Sequence, residues 1–280
     1  MGCSHNCDSC SSNCGGEKSL KVAANKAATV RKVIGVVSGK GGVGKSLLTS
    51  MMAVGMTRKG YTCGVLDADI TGPSIPKTFG VHDKLEGCEE GIIPARSEGG
   101  VQMISINLVL PNEDDPVIYR GPIIAETVKQ FWSDVVWEDV DFLFVDMPPG
   151  TGDVHLSIIG ELKIDAAVIV STPQQIAVAD VVRGVEMFRN PQVNIPLAGI
   201  VENMAWFTPE ELPENRYYLF GKGGARRFAE ENGIDLLGEI PIIQSIMEGA
   251  DTGTPSVSID ARVEPYYREI ADRIVDKVVK

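Results

Sequence analysis

Short apolar runs alternate along the chain with segments whose apolar positions recur at helical spacing. The runs are nearly continuous in apolar character, which is typical of strands buried on both faces of a sheet. Strands are predicted at Val33–Val37, Cys63–Leu66, Val101–Ile106, Phe142–Val145, Ala166–Val170, Leu197–Val201 and Leu236–Ile240. Helices are predicted between them at Lys45–Lys59, Ile123–Trp132, Gln174–Phe188 and Gly224–Asn232. The alternation predicts an α/β fold, doubly wound around a mostly parallel sheet.

No linker-like stretch divides the chain after residue 32, so we expect residues 30–280 to form one domain. Residues 1–29 are predicted to be a Cys-rich, metal-binding tail and linker, with a first short helix as the alternative for residues 17–31. Ser, Asn and Gly are frequent in the tail, which predicts a short flexible segment. A chain of 280 residues is long enough to bury a large core.

Charge and hydropathy exclude some partners. The net charge is −12, which argues against a broad nucleic-acid-binding face. No apolar run approaches the ~20 residues that a membrane span requires. The first residues have no apolar core of a secretory signal. We therefore expect a cytoplasmic protein that contacts neither membrane nor nucleic acid.

Cysteines are concentrated at the start of the chain. Four of the six lie within the first 14 residues: Cys3, Cys7, Cys10 and Cys14. In a reducing compartment such a cluster indicates Zn²⁺ or an iron–sulfur cluster rather than disulfides, and the spacing does not decide between them. On a straight helix Cys3 and Cys14 would lie about 16 Å apart. The tail must therefore wrap around its metal or share ligands with a second chain.

A phosphate-binding motif follows the first predicted strand. It reads Gly39-Lys40-Gly41-Gly42-Val43-Gly44-Lys45-Ser46 and fits the pattern G-x-x-x-x-G-K-[ST] between a strand and a helix. The glycines allow backbone N–H groups to converge on phosphate oxygens beside the helix N-terminus. Lys45 is predicted to neutralise the β- and γ-phosphates, and Ser46 to coordinate Mg²⁺.

Carboxylates follow two other predicted strands. Asp67 and Asp69 come after the second strand, and Asp146 ends the strand Phe142–Val145. Ligands bind at the carboxyl ends of strands in open α/β sheets. Asp146 is predicted to hold Mg²⁺ through water. The Pro- and Gly-rich segment after it, residues 148–153, is a candidate switch that senses hydrolysis.

Lys40, the second lysine of the loop, resembles the signature lysine of the deviant Walker A class. That class includes the nitrogenase iron protein and the partitioning and septum-positioning ATPases. The resemblance implies a homodimer in which Lys40 reaches the partner's phosphates and stabilises charge in trans. It also implies that Asp69 orients the attacking water and that Asp67 supports the loop or the Mg²⁺ geometry.

Several segments together resemble the Mrp-type iron–sulfur cluster carrier ATPases over roughly residues 30–275. They are Trp137–Asp153, Asp69–Ser74, Arg120–Pro122 and Val201–Met204. The resemblance implies an ATP-binding homodimer that holds a labile iron–sulfur cluster and passes it to apoproteins. We expect ATP hydrolysis to be slow without a partner, because a switch must persist in its ATP state. It further implies that Asn203 reads the adenine base and that a loop at Pro241 closes over the base.

One departure from that family concerns its cluster ligands. Family members usually carry a C-x-x-C pair after the Asn-Met segment, and two pairs bridge one [4Fe–4S] cluster. Residues Ala205–Phe220 contain no cysteine. Either the tail carries the cluster, which we favour and expect to be [4Fe–4S], or the cargo is lost. The segment contains aromatic residues instead, which predict either a dimer or partner surface or ordinary core anchors: Trp206, Phe207, Tyr217, Tyr218 and Phe220.

Two other functions fit the same motif. A positioning or partition ATPase would bind membrane or DNA through a basic amphipathic C-terminal helix. The C-terminal apolar stripe has a polar face of mixed charge, which favours docking on the protein itself: Val263, Tyr267, Ile270, Ile274 and Val278. An electron donor like the nitrogenase iron protein needs cysteines in the body of the fold. Cys63, a predicted core residue, and Cys88 do not stand in the expected places.

Overall fold

The computed structural model describes residues 21–112, 121–255 and 260–279. The strands are β1 Val30–Ser38, β2 Cys63–Asp67, β3 Glu86–Cys88, β4 Gly91–Ile93, β5 Ala95–Arg96, β6 Gln102–Ile104, β7 Val140–Asp146, β8 Ala166–Ser171, β9 Leu197–Phe207 and β10 Leu236–Ile242. The helices are α1 Lys45–Arg58, α2 Ile75–Thr78, α3 Gly121–Ser133, α4 Asp153–Glu161, α5 Gln175–Arg189, α6 Gly224–Glu231, α7 Gln244–Asp251 and α8 Glu264–Val278.

Eight strands form one sheet in the order β10-β9-β8-β1-β7-β2-β6-β5. All neighbours are parallel except the short edge strand β5, which runs antiparallel to β6. Strands β3 and β4 form a separate antiparallel hairpin. The predicted doubly wound, mostly parallel fold is confirmed. Because β1, β7 and β2 are adjacent and parallel, the segments that follow them emerge at the same edge of the sheet.

Helices cover both faces of the sheet. One apolar cluster joins the sheet to α1, α2, α7 and α8, and the other joins it to α3, α4, α5 and α6. Cys63 is fully buried in the first cluster, as predicted, and burial raises its thiol pKa to about 12. Helix α1 packs between the sheet and α8, so most of its surface is buried. The phosphate motif therefore opens a rigid, buried helix.

The C-terminal helix docks on the body of the protein. Every residue of its predicted apolar stripe is buried: Val263, Tyr267, Ile270, Ile274 and Val278. A Cβ atom placed on Gly238 of β10 would lie 2.7 Å from Cγ1 of Ile270, so α8 approaches the strand backbone closely. The prediction that this stripe packs on the protein's own fold is confirmed.

Some elements differ from the predictions. The strand predicted at Val101–Ile106 is shorter and is followed by a 3-10 turn over Ile106–Leu108. Strand β9 continues six residues past its predicted end at Val201 to Phe207. Helix α4 is an element that the sequence did not predict, and its Leu156 is 47% exposed. It begins inside the candidate switch, at Asp153.

Residues 21–29 pack on the body rather than forming the alternative short helix. The Val22 N–H donates to the carbonyl of Glu161 at 2.8 Å, and Nε1 of Trp132 donates to the Val22 carbonyl at 3.0 Å. We call residues 21–29 the strap, since they tie the start of the described chain to the ends of α3 and α4. None of the helices within the described ranges has the length and apolar character to cross a bilayer.

Candidate nucleotide-binding site

The phosphate loop lies between β1 and α1, where the sequence predicts it. Gly42 and Gly44 have φ angles of +79° and +83°, which L-residues with side chains rarely adopt. A Cβ atom on Gly39 would lie 2.5 Å from Cβ of Asp180 on α5, so packing excludes a larger residue. The side chain of Val43 is buried and anchors the loop in the core.

Lys45 and Ser46 both contact Asp146 at the end of β7. Lys45 Nζ lies 2.7 Å from Asp146 Oδ2, and Ser46 Oγ donates to the same oxygen at 2.6 Å. Thr49 Oγ1 donates to Asp146 Oδ1 at 2.8 Å. Lys45 is 6% exposed and Asp146 is fully buried, so the pair is shielded from solvent. Sequence reasoning missed Thr49, although it stands one helical turn after Lys45 on the same face.

Asp67 lies beside Asp146, because the two are register partners in β2 and β7. Its Oδ2 accepts from Ser105 Oγ at 3.0 Å, and its Oδ1 accepts from the Asp69 N–H at 3.2 Å. Burial, and secondly the charge of Asp146, raise the pKa of Asp67 to about 8. Ser105 is a further site residue that the sequence did not reveal, since it follows another strand, β6.

Asp69 lies beyond the end of β2, where it accepts a hydrogen bond from Thr71 Oγ1 at 3.2 Å. Burial raises its pKa, and the charge of Lys45 opposes this shift. Asp69, Pro149 and the phosphate loop line one cavity of about 220 Å³. The structure thus brings the loop and the predicted catalytic carboxylate to one opening.

Lys40 also lines this cavity. Its Nζ donates to Oε1 of Gln174, the residue before α5, at 3.4 Å. The Lys40 carbonyl accepts from Ser38 Oγ at 3.0 Å, which fixes the backbone at the start of the loop. Lys40 therefore lies at the mouth of the site, and its contribution to a partner's site stays a prediction.

The candidate switch segment is tied to β1 and to α4. The Gly150 N–H donates to the Ser38 carbonyl at 2.9 Å. Nε2 of His155 lies 2.7 Å from the carbonyl of Pro148. A carbonyl can only accept, so Nε2 carries the hydrogen, and burial lowers the pKa of His155, which favours the neutral ring. His155 is a third contact that sequence reasoning missed.

Asn203 and Pro241, the two residues predicted to contact the base, lie in the neighbouring strands β9 and β10. Asn203 lies in β9 and its Nδ2 donates to the Val43 carbonyl at 2.9 Å, which places it against the phosphate loop. Pro241 is buried within β10, so the prediction of a loop at Pro241 is wrong. Proline is tolerated there because β10 is an edge strand, where a missing N–H need not break the ladder. The chain leaves the strand only after Ile242.

The segment without the C-x-x-C pair extends β9 into a hairpin. Phe207 and Tyr217 exchange two backbone hydrogen bonds of 2.8 Å. The guanidinium of Arg216 stacks over the Trp206 ring at 4.3 Å, whereas Leu219 is 63% exposed. The hairpin thus combines packed and exposed apolar residues, and both readings of its aromatic residues stay open.

A metal cluster is not formed by the described part of the chain, where no three His, Cys, Asp or Glu residues are grouped to hold one. The predicted tail ligands lie outside the described residues: Cys3, Cys7, Cys10 and Cys14. Arg120 of the Arg120–Pro122 segment also lies outside them. The predicted cluster site therefore stays a prediction.

Relatives share this architecture and much of the sequence. The chain is 40% identical to an iron–sulfur cluster carrier protein of Methanocaldococcus jannaschii, over 99% of this chain and 97% of the relative. It is 42% identical to an iron–sulfur protein required for NADH dehydrogenase, mitochondrial, of Arabidopsis thaliana, over 88% of this chain and 78% of the relative.

Solved structures of other proteins have a similar fold. A nucleotide-binding protein of Archaeoglobus fulgidus in complex with ADP, with cobalt, has a TM-score of 0.72 and 38% identity, covering 84% of this chain and 88% of that chain. The cell division ATPase MinD of Pyrococcus furiosus has a TM-score of 0.63 at 19% identity, over 88% and 98% of the chains, which supports the fold alone. A model of the ParA family, described as NUBPL iron-transfer P-loop NTPase, matches residues 29–279. The chain therefore belongs to this family of iron-transfer P-loop NTPases.

Proposed function

We propose that the chain binds ATP at the phosphate loop, hydrolyses it slowly, and carries an iron–sulfur cluster that it transfers to apoproteins. The proposal that the chain binds ATP rests on one observation, the convergence of Lys45 and Ser46 on Asp146 beside the loop. The proposal that it carries a cluster rests on the similarity to a protein named as an iron–sulfur cluster carrier. That similarity extends over 99% of this chain.

Mg²⁺ fits the donor set at this site. Ser46 Oγ and the Asp146 carboxylate are hard oxygen donors of the kind Mg²⁺ prefers, and they lie within 2.6 Å of each other. In our proposal these two residues would hold Mg²⁺, which would offset charge on the phosphates. Lys45 Nζ would then move from Asp146 toward the phosphates. The Asp146 carboxylate would keep a hydrogen-bond donor, because Thr49 Oγ1 stays bonded to it.

Hydrolysis is assigned to Asp69 and Lys40. Asp69 lines the cavity beside the loop, and its raised pKa suits a group that accepts a hydrogen bond from an attacking water. Lys40 lies at the mouth of the same cavity, where a second copy of the chain could exchange lysines with it. We therefore propose a homodimer that closes over ATP, and its slow turnover serves as the switch.

The tail cysteines are proposed to hold the cargo, expected as [4Fe–4S]. The strap offers a path by which the nucleotide could influence it. Helix α4 begins in the switch segment at Asp153, and the carbonyl of its last residue, Glu161, binds the Val22 N–H at 2.8 Å. A shift of α4 on hydrolysis would therefore pull on the strap, eight residues after the last tail cysteine, Cys14.

The C-terminal helix does not support the alternative function, an ATPase that positions itself on membrane or DNA. That function needs an available apolar face on the C-terminal helix. The apolar stripe of α8 is instead buried against α1 and β10, as Tyr267 and Ile270 show. We therefore retain the carrier as the proposed function.

Cluster transfer to an apo-ferredoxin tests this proposal. The protein is reconstituted anaerobically, and transfer is followed by the absorbance of the acceptor with and without MgATP. We expect wild-type protein to transfer its cluster at a rate that MgATP changes. Lys45→Ala should load the cluster but lose the response to MgATP, and Lys163→Ala, an exposed lysine on the same domain, should behave as wild type. A wild-type protein that transfers no cluster would contradict the proposal.

A further inference from the structure

Strand β9 holds the phosphate loop from the side of β1 that faces away from β7, the strand of Asp146. Asn203 Nδ2 donates to the Val43 carbonyl at 2.9 Å, and both residues are buried. The two positions are 160 residues apart in the chain, so this bond fixes the loop against a different part of the sheet. A buried carbonyl that lost its donor would be left without a partner in the core.

Gly44 shows how closely the two elements approach. A Cβ atom built on Gly44 would lie 2.3 Å from Asn203 Nδ2 and 3.8 Å from Cε of Met204. Gly44 also has a φ of +83° and caps the N-terminus of α1. Glycine is therefore required at this position both for its backbone conformation and because the Asn203 amide fills the space.

Backbone strain marks the same place in β9. Met204 has a φ of +56°, which is uncommon for a residue other than glycine, asparagine or aspartate. The pairing of β9 with β10 shifts register between Ile240 and Ile242, next to this residue. Such a conformation persists only where the surrounding structure holds it. Here it follows directly after the residue that binds the loop.

We propose that Asn203 is a positioning residue of the phosphate loop: its amide fixes the Val43–Gly44 backbone in the shape that binds phosphate. This role is separate from any contact with the base. The glycines on either side of Val43 have many accessible conformations, so an unrestrained loop would lose entropy on binding phosphate. The inference rests on the proposed binding of nucleotide at this loop.

A ligand without a base separates the two roles. Binding of magnesium tripolyphosphate and of MgATP is measured by titration calorimetry for wild type, Asn203→Ala and Asn232→Ala. Asn232 is the matched control, because its amide also donates to a backbone carbonyl, that of Phe228 at 2.8 Å. We expect Asn203→Ala to weaken both ligands about ten-fold, as for one lost buried hydrogen bond, and Asn232→Ala to change neither.

Loss of ATP affinity with unchanged tripolyphosphate affinity would overturn the inference and leave Asn203 with the base alone. Failure of wild type to bind either ligand would instead refute nucleotide binding itself. Hydrogen exchange without added ligand gives a second measurement. The Leu48 N–H donates to the Gly44 carbonyl at 2.9 Å, so its exchange should be faster in Asn203→Ala. Equal exchange of Leu48 in a folded variant would also overturn the inference.

Discussion

Replacing Asp67 with asparagine tests the electrostatics of the site without any ligand. Asp67 is buried beside Asp146, and its pKa is raised from 3.8 to about 8. Between these values the folded chain holds one proton more than the unfolded chain. The free energy of unfolding therefore falls as pH rises, by on the order of 1 kcal/mol per pH unit for this group.

Between pH 5 and pH 7 this amounts to about 2–3 kcal/mol. Asparagine does not titrate, and its oxygen can still accept from Ser105. We expect the stability of wild type relative to Asp67→Asn to fall by that amount over this pH range. Urea unfolding at pH 5, 6 and 7, in EDTA and without nucleotide, measures the difference, in which titrating groups distant from Asp67 cancel. A difference that stays constant across the range would refute a protonated Asp67.

Three further variants test separate parts of the site. Lys45→Ala should abolish phosphate release from ATP and lower the free energy of unfolding by about 3 kcal/mol, because it leaves Asp146 buried without its cation; retained turnover would refute the loop assignment. Lys40→Ala should keep nucleotide affinity in a fluorescence titration but impair hydrolysis, and an unchanged rate would argue against catalysis in trans. Trp132→Phe removes the donor to the Val22 carbonyl, so it should cost about 1 kcal/mol of stability and weaken the effect of MgATP on cluster transfer. An unchanged MgATP effect would exclude the Trp132 contact from the coupling path.

The main features of the site could be predicted from sequence because each rests on a local pattern. The phosphate loop stands between a buried strand and a helix, and Asp67 and Asp146 end neighbouring strands, so parallel topology alone brings them together. Thr49, by contrast, has a meaning only once α1 is known to face β7. The contact of His155 with Pro148 likewise depends on where α4 begins.

The remaining differences from the predictions have physical causes. The family resemblance implied a loop at Pro241, but this proline lies inside β10, an edge strand with a side where the N–H is not needed. The base-binding role of Asn203 stays a prediction, and its contact with Val43, which the sequence did not reveal, joins segments far apart in the chain. Long-range contacts of this kind leave no periodic signal in the sequence.

The central claim is that one chain joins an ATP-binding domain to a cluster held by its tail. Iron and acid-labile sulfide per chain, measured after anaerobic reconstitution, test it most directly in wild type and in a variant with serine at the four tail positions: Cys3, Cys7, Cys10 and Cys14. The account predicts iron, sulfide and visible absorbance in wild type and none in the variant, with equal ATP affinity in both. Iron and sulfide retained by the variant would contradict it.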